Sequence, residues 1–255
     1  MARLVERIQT PIGPIAFACG VIEAWKALWG EIPSKESVAV LWGQLMTETS
    51  GKYIWNYNIG NVKHVAGDGY DWIDLPGTWE IYNGQKVVLK EGDPGRLFRA
   101  YPNYAEAFKH HLKFLEKRYG KAWEQVRAGN PKQFVFALKA GRDGKINTAD
   151  DYFTASLESY EALTVPNYQN FVKGTYYEQA LTQLSIVLGT VGKALPPQQA
   201  PVLPAEQSRS DSGEHTTGGS PDNSIEIVSW PIIHKSPYDA DWNRDKEKDD
   251  GSEET

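Results

Sequence analysis

The chain has 255 residues, 40% of them hydrophobic, enough to bury one core of moderate size with length to spare. Its net charge of −6 gathers at the end, where residues 239–255 hold eight acidic and three basic side chains. The remainder is near neutral and lacks the basic field that a nucleic acid backbone requires, and no apolar run reaches the length of a membrane span.

In chain order, Arg3 and Arg7 precede a short apolar run ending at Cys19, but Glu6, Pro11, Gly13 and Pro14 interrupt it. No clear signal peptide is read there, and Ile15 to Leu28 is expected as the first helix, with Cys19 a small core residue. Cys19 is the only cysteine, so no internal disulfide is possible. The second helix is expected from a cap at Ser34 to a stop near Gly51. Its apolar stripe is Val38, Leu41, Trp42 and Leu45, with Trp42 read as core. Three residues further on, the stripe reaches Glu48. Burial disfavours the charged form of a carboxyl, which suits a general acid working near neutral pH. The alternative is an ordinary last-turn glutamate turned to water.

Residues 52–100 have another texture, rich in Gly, Asp, Trp and Tyr. Within it, Thr78–Tyr82 and Gln85–Leu89 flank Asn83-Gly84, which predicts a β-hairpin because both turn residues must take positive φ. Helical patterns return at 103–119, 131–140 and about 150–193, and Asn130-Pro131 is a helix start with cap and first-turn proline. The run Asp143-Gly-Lys-Ile-Asn147-Thr-Ala-Asp150 resembles half of a calcium loop. Lys139 and Gly141 stand where its first ligands belong, so a turn and an Asp-capped helix are expected instead. His110 and His111 point to different faces, and the nearby His64, Asp68 and Asp71 are not read as ligands; no metal or cofactor is expected. Residues 1–195 form the expected domain, 196–223 a Pro/Ser/Gly-rich linker, and 224–255 a β-like segment with an acidic tail. The expected fold is α+β, mainly α: a helical domain with a small β-hairpin lobe and a disordered C-terminal tail.

Four stretches then occur together. They are Glu48-Thr-Ser-Gly-Lys-Tyr53; Tyr57-Asn58-Ile59-Gly60-Asn61-Val62-Lys63; Thr78–Gly84 leading into Phe98-Arg99-Ala-Tyr101-Pro-Asn-Tyr104; and Tyr152-Phe153-Thr154 followed by Tyr160. In this order over residues 35–170 the chain resembles the flagellar- and autolysin-type β-N-acetylglucosaminidases, glycoside hydrolase family 73, of the lysozyme-like superfamily. It departs from their pattern in three places. Glu-Thr-Ser-Gly is one residue longer than Glu-Ser-Gly, the glycine of the Tyr-Asn-Leu-Phe-Gly-Ile-Lys motif comes one place early at Gly60, and Ala155-Ser156 replaces Asp-Pro.

The resemblance implies a lysozyme-like fold and hydrolysis of the GlcNAc-β-1,4-MurNAc bond of peptidoglycan. Glycoside hydrolysis commonly uses one carboxylic acid and one carboxylate. Glu48 fits the acid. Glu80 matches the family's hairpin glutamate, and also reads as a solvated strand residue. Tyr152 matches the tyrosine that orients sugar near the acid, and also reads as a core aromatic. Asn58 reaches either sugar or its own turn; Tyr57 and Tyr160 complete the resembling substrate contacts. Trp55, Trp72 and Trp79 suit sugar platforms, since aromatic rings stack on sugar faces, although some must hold the lobe together. The nearest alternatives are a muramidase or lytic transglycosylase, needing only Glu48, and a non-catalytic wall-binding component. The expected partner is the peptidoglycan glycan strand, with neither nucleic acid nor membrane. A chain made in the cytoplasm without a clear signal would reach the wall by lysis, injection or specialised secretion, and its tail suits docking to a phage virion or contractile injection apparatus.

Overall fold

The computed structural model describes residues 2–82, 85–146, 148, 151–153 and 155–190. The expected turn residues Asn83 and Gly84, the linker, the β-like segment and the acidic tail lie outside these. Seven helices and four short strands form among the described residues, a mainly helical α+β fold.

Helix α1 (Pro14–Trp29) starts on a proline and stops at Gly30, whose φ of 75° lets its N–H reach the Lys26 carbonyl. Helix α2 (Lys35–Thr49) is capped by Ser34, whose side chain accepts from the Ser37 N–H. Every residue from Ser37 to Leu45 is buried. The apolar stripe thus understates this helix: its middle is covered on all sides, and it meets solvent only in its first and last turns. Helix α6 (Leu157–Lys173) crosses it closely. A Cβ on Gly43 would lie 2.7 Å from the Thr164 carbonyl oxygen, and the Thr47 and Thr164 hydroxyls pair at 2.9 Å.

Helices α3 (Tyr104–Arg118), α4 (Gly120–Arg127), α5 (Pro131–Lys139) and α7 (Tyr176–Thr190) complete the body. Trp25 and Trp29 of α1 pack on Trp123 of α4 with ring centroids 4.7 and 4.9 Å away. The expected helix from about residue 150 begins only at Leu157. Ser156, not an aspartate, caps it by accepting from the Ser159 N–H, and Gly174 ends it before α7. Residues 151–153 stand outside the helix, and Asp151 is used otherwise: its carboxylate forms a buried ion pair with Lys139 at 2.9 Å.

The lobe consists of two antiparallel pairs. Strand β1 (Asp71–Asp74) pairs with β4 (Leu97–Ala100), Trp72 opposite Arg99. Strand β2 (Trp79–Tyr82) pairs with β3 (Gln85–Val88), Glu80 opposite Val87. Ile73, Leu75, Phe98 and Ala100 make a small second core, with Val5 and Trp55 against it. Val5 comes from an extended N-terminal arm that sequence reading did not anticipate. Val5 N–H donates to Trp72 O at 2.9 Å, Trp72 N–H to Arg3 O at 3.0 Å, and Thr10 N–H to Ile54 O at 2.8 Å. The first residues therefore strap the lobe to the helical body. None of the described helices is long and apolar enough to cross a membrane.

Candidate active site

Glu48 stands in the last turn of α2, where the buried helix comes to the surface, and is half-buried. Its Oε1 accepts a hydrogen bond from the Tyr160 hydroxyl on α6 at 2.6 Å. The α2–α6 crossing brings this pair together across 112 residues. A phenol donating to a carboxylate is among the stronger hydrogen bonds, and it fixes one carboxylate oxygen in place. Tyr160 is itself almost fully buried, with its ring stacked on Phe153 at 3.9 Å and 7° between planes. Burial first, then the Glu48 charge beside it, pushes the Tyr160 hydroxyl well above the ordinary tyrosine range. It therefore keeps its proton and acts as a donor.

The chain leaves α2 through a segment of unusual backbone. Ser50, Asn56, Tyr57 and Asn61 all have positive φ, between 47° and 60°. Non-glycine residues hold this conformation at some cost, and such residues cluster at functional sites. Here each is tied down. Asn56 donates to Glu6 O and accepts from Ile8 N, both at 2.9 Å, while Asn61 Nδ2 donates to Glu48 O at 3.3 Å. The segment after the acid is thus held partly by the N-terminal strap.

Of the other residues singled out in the sequence, Asn58 is buried and serves its own turn. It donates to Val62 O and Arg99 O at 2.9 and 3.0 Å and accepts from Val62 N at 2.8 Å. Of its two readings, the turn is what these bonds describe. Tyr152 is 1% exposed, and its ring packs at 5.2 Å from Tyr119 and 6.4 Å from Phe114. The tyrosine whose hydroxyl meets Glu48 is Tyr160, and Tyr152 lies in the core behind it. Tyr57 is half-buried, edge-on to Tyr104. Trp55 is half-buried against the lobe core, below Arg7, and Trp72 is half-buried and stacked on His64 at 4.4 Å. Both help to hold the lobe. Trp79 is half-buried in β2, beside Glu80 in the same strand. Tyr53, by contrast, is 53% exposed just after the acid and offers an open ring.

Two polar residues near the site were not singled out as site residues by sequence reading. Gln44 is buried one helical turn before Glu48 and pairs through Oε1 with His111 Nε2 at 3.2 Å. The i, i+4 spacing of Gln44 and Glu48 was the available signal. A separate cluster anchors the lobe. Asp68 accepts from Arg99 Nε at 2.8 Å and from the Val65 and Tyr70 N–H groups at 3.0 and 2.9 Å, and lies 3.3 Å from His64 Nδ1. Arg99 also donates to His110 Nε2, so Nδ1 carries the proton and donates to the Tyr101 hydroxyl oxygen at 2.8 Å. Among the described residues no group of three or more His, Cys, Asp or Glu is placed to hold a metal ion.

No family model, curated protein or solved structure matches the chain.

Proposed function

We propose that the chain is a peptidoglycan hydrolase that cleaves the GlcNAc-β-1,4-MurNAc bond, with Glu48 as its general acid. The observation that carries this reading is the Tyr160–Glu48 pair: a carboxyl half open to solvent, on the rigid end of a buried helix, with one oxygen held at 2.6 Å by a buried donor. A general acid needs that combination of fixed geometry and access to substrate. The strained, tied-down segment following it and the exposed Tyr53 ring support a substrate edge at the same place. In cleavage, the proton on Glu48 passes to the bridging oxygen as the bond from that oxygen to C1 of the GlcNAc residue breaks. Water then supplies the new hydroxyl on C1, leaving GlcNAc at a reducing end. Glu80, or the substrate's own N-acetyl group, stabilises the positive charge at C1. The lysozyme-like character of the fold belongs to this proposal, as does delivery to the wall through the tail.

Digestion of purified peptidoglycan followed by mass spectrometry tests it. Fragments ending in reducing GlcNAc are expected, and Glu48→Gln should lower their release by at least about a hundredfold. A 1,6-anhydro-MurNAc product, with Glu80→Gln fully active, would identify a lytic transglycosylase instead. Wall binding without fragment release, unchanged in Glu48→Gln, would leave only a binding component.

A further inference from the structure

At the end of α5 two buried charges hold the segment that leads to Tyr160. Lys139 is 3% and Asp151 7% exposed, and their charged groups meet at 2.9 Å. The Lys139 ammonium also donates to the Phe153 carbonyl oxygen at 2.9 Å. Between these contacts the Tyr152 N–H donates to the Leu138 carbonyl at 3.1 Å. Two consecutive residues at a helix end thus hold three consecutive residues of the segment before α6. The Thr148 N–H, 2.9 Å from Asp151 Oδ1, ties the same carboxylate to the chain before it. Packing alone does not ask for this. Two ions taken out of water lose solvation that their attraction barely restores, and apolar side chains of similar volume often serve stability as well or better. What a hydrogen-bonded ion pair adds is direction, because its bonds form only over a narrow range of distance and angle.

That direction reaches the ring of Phe153. Lys139 Nζ lies 5.1 Å from its centroid, within cation–π reach. The same ring is stacked face to face on Tyr160, with centroids 3.9 Å apart and planes 7° apart. Helix α6 fixes the Tyr160 backbone, but the plane of the ring is set by what lies against its face. The hydroxyl stands at the far end of that ring, 2.6 Å from Glu48 Oε1. A shift of about 1 Å there is enough to take the bond out of hydrogen-bonding range.

We propose that Lys139 and Asp151 are positioning residues for Glu48: they lock Phe153 in place, and its ring holds the Tyr160 hydroxyl on the carboxylate. The inference rests on reading Glu48 as the acid, but the geometry it concerns is measurable without turnover.

The test replaces both charges at once, Lys139→Met with Asp151→Leu, so that neither ion is left buried alone. On peptidoglycan this double variant should show kcat lowered about tenfold with KM little changed. It should lose nothing further in a Tyr160→Phe background, which keeps the ring and drops the hydroxyl. The phenol C–O infrared band of Tyr160, isolated as the difference from Tyr160→Phe, reads the bond itself. That band should shift in the double variant and also in Phe153→Leu, which removes the stacked ring and leaves the ion pair. A band that stays still in either folded variant, or an equal fall in kcat in both backgrounds, would overturn the proposal. Should the double variant not fold, Asp151→Asn removes the charge while keeping an acceptor for the Thr148 N–H, and enters the same cycle with the same expectations. Shifted bands in a protein that releases no fragments would sink the glycosidase reading and leave the positioning pair standing. Full fragment release by the double variant, with its band unmoved, would do the reverse.

Discussion

Tyr160 and Tyr152 show how far two similar residues can differ in what surrounds them. Tyr160 spends its hydroxyl on Glu48, whereas Tyr152 contributes a ring to the packing of Phe114 and Tyr119. Tyr160→Phe should therefore lower kcat about tenfold, with a stability loss of about 1–3 kcal/mol, since it removes a hydrogen bond to a charged group. Tyr152→Leu should instead cost about 2 kcal/mol of unfolding free energy, read by urea denaturation, while the rate per folded molecule stays close to that of the parent. Glu48 was legible in the sequence because a carboxyl continued an apolar stripe. Its partner was not, because no local pattern tells which of several tyrosines a helix crossing brings to it. The glycine shift in the second motif acquires a physical reason only in three dimensions. Asn61 takes the positive φ, of 49°, and Gly60 makes room for His111.

Among the elements, the α2–α6 crossing decides whether the site exists, since one helix holds Glu48 and the other Tyr160. Gly43 sets its closeness. In an exposed helix, glycine to alanine stabilises by about 1 kcal/mol. At position 43 the added Cβ would meet the Thr164 carbonyl at 2.7 Å, and backbone cannot swing aside as a flexible side chain can. Gly43→Ala should therefore lower stability by about 1–3 kcal/mol, the opposite sign, measured by thermal or urea unfolding. The starts of α2 and α5 followed from their Ser34 and Asn130 caps, each of which accepts from a backbone N–H three residues on, whereas the Asn103 cap of α3, which does the same, was not read. The start of α6 was placed too early because the aspartate run ending at Asp150 resembles a cap. Nothing local says that Asp151 is reserved for a lysine twelve residues back, buried with it. Helix α4 was missed because it is only eight residues long and follows α3 with a break at Tyr119 alone.

For the whole molecule, the lobe is fastened at two places, the Asp68–Arg99–His110 cluster and the N-terminal strap. His110 is half-buried beside Arg99, and desolvation first, then that positive charge, push its pKa down to about 3. In the unfolded chain it titrates near 6.5. The folded state thus binds fewer protons than the unfolded state between these values, and stability falls as pH drops from about 6.5 towards 3. At pH 5 this single group should cost about 2 kcal/mol relative to pH 7. Urea denaturation at the two pH values should show that loss shrink in His110→Gln, with Arg99, Tyr70, Tyr101 and His111 left in place around the position. The lobe's existence was legible from the Asn-Gly hairpin signal and the change in texture. The pairing of β1 with β4 was not, because it joins short segments that carry no strong alternation.

The strap has a consequence for the chain as it is synthesised. Residues 2–12 leave the ribosome well before Ile54, Asn56 and Trp72, the groups that satisfy their backbone. Until those arrive, the backbone N–H and C=O groups of the arm lack the partners that hold them in the folded protein. The strap can close only once the lobe has been made, and the loop that follows Glu48 at the end of α2 then gains its ties to Glu6, Ile8 and Thr10.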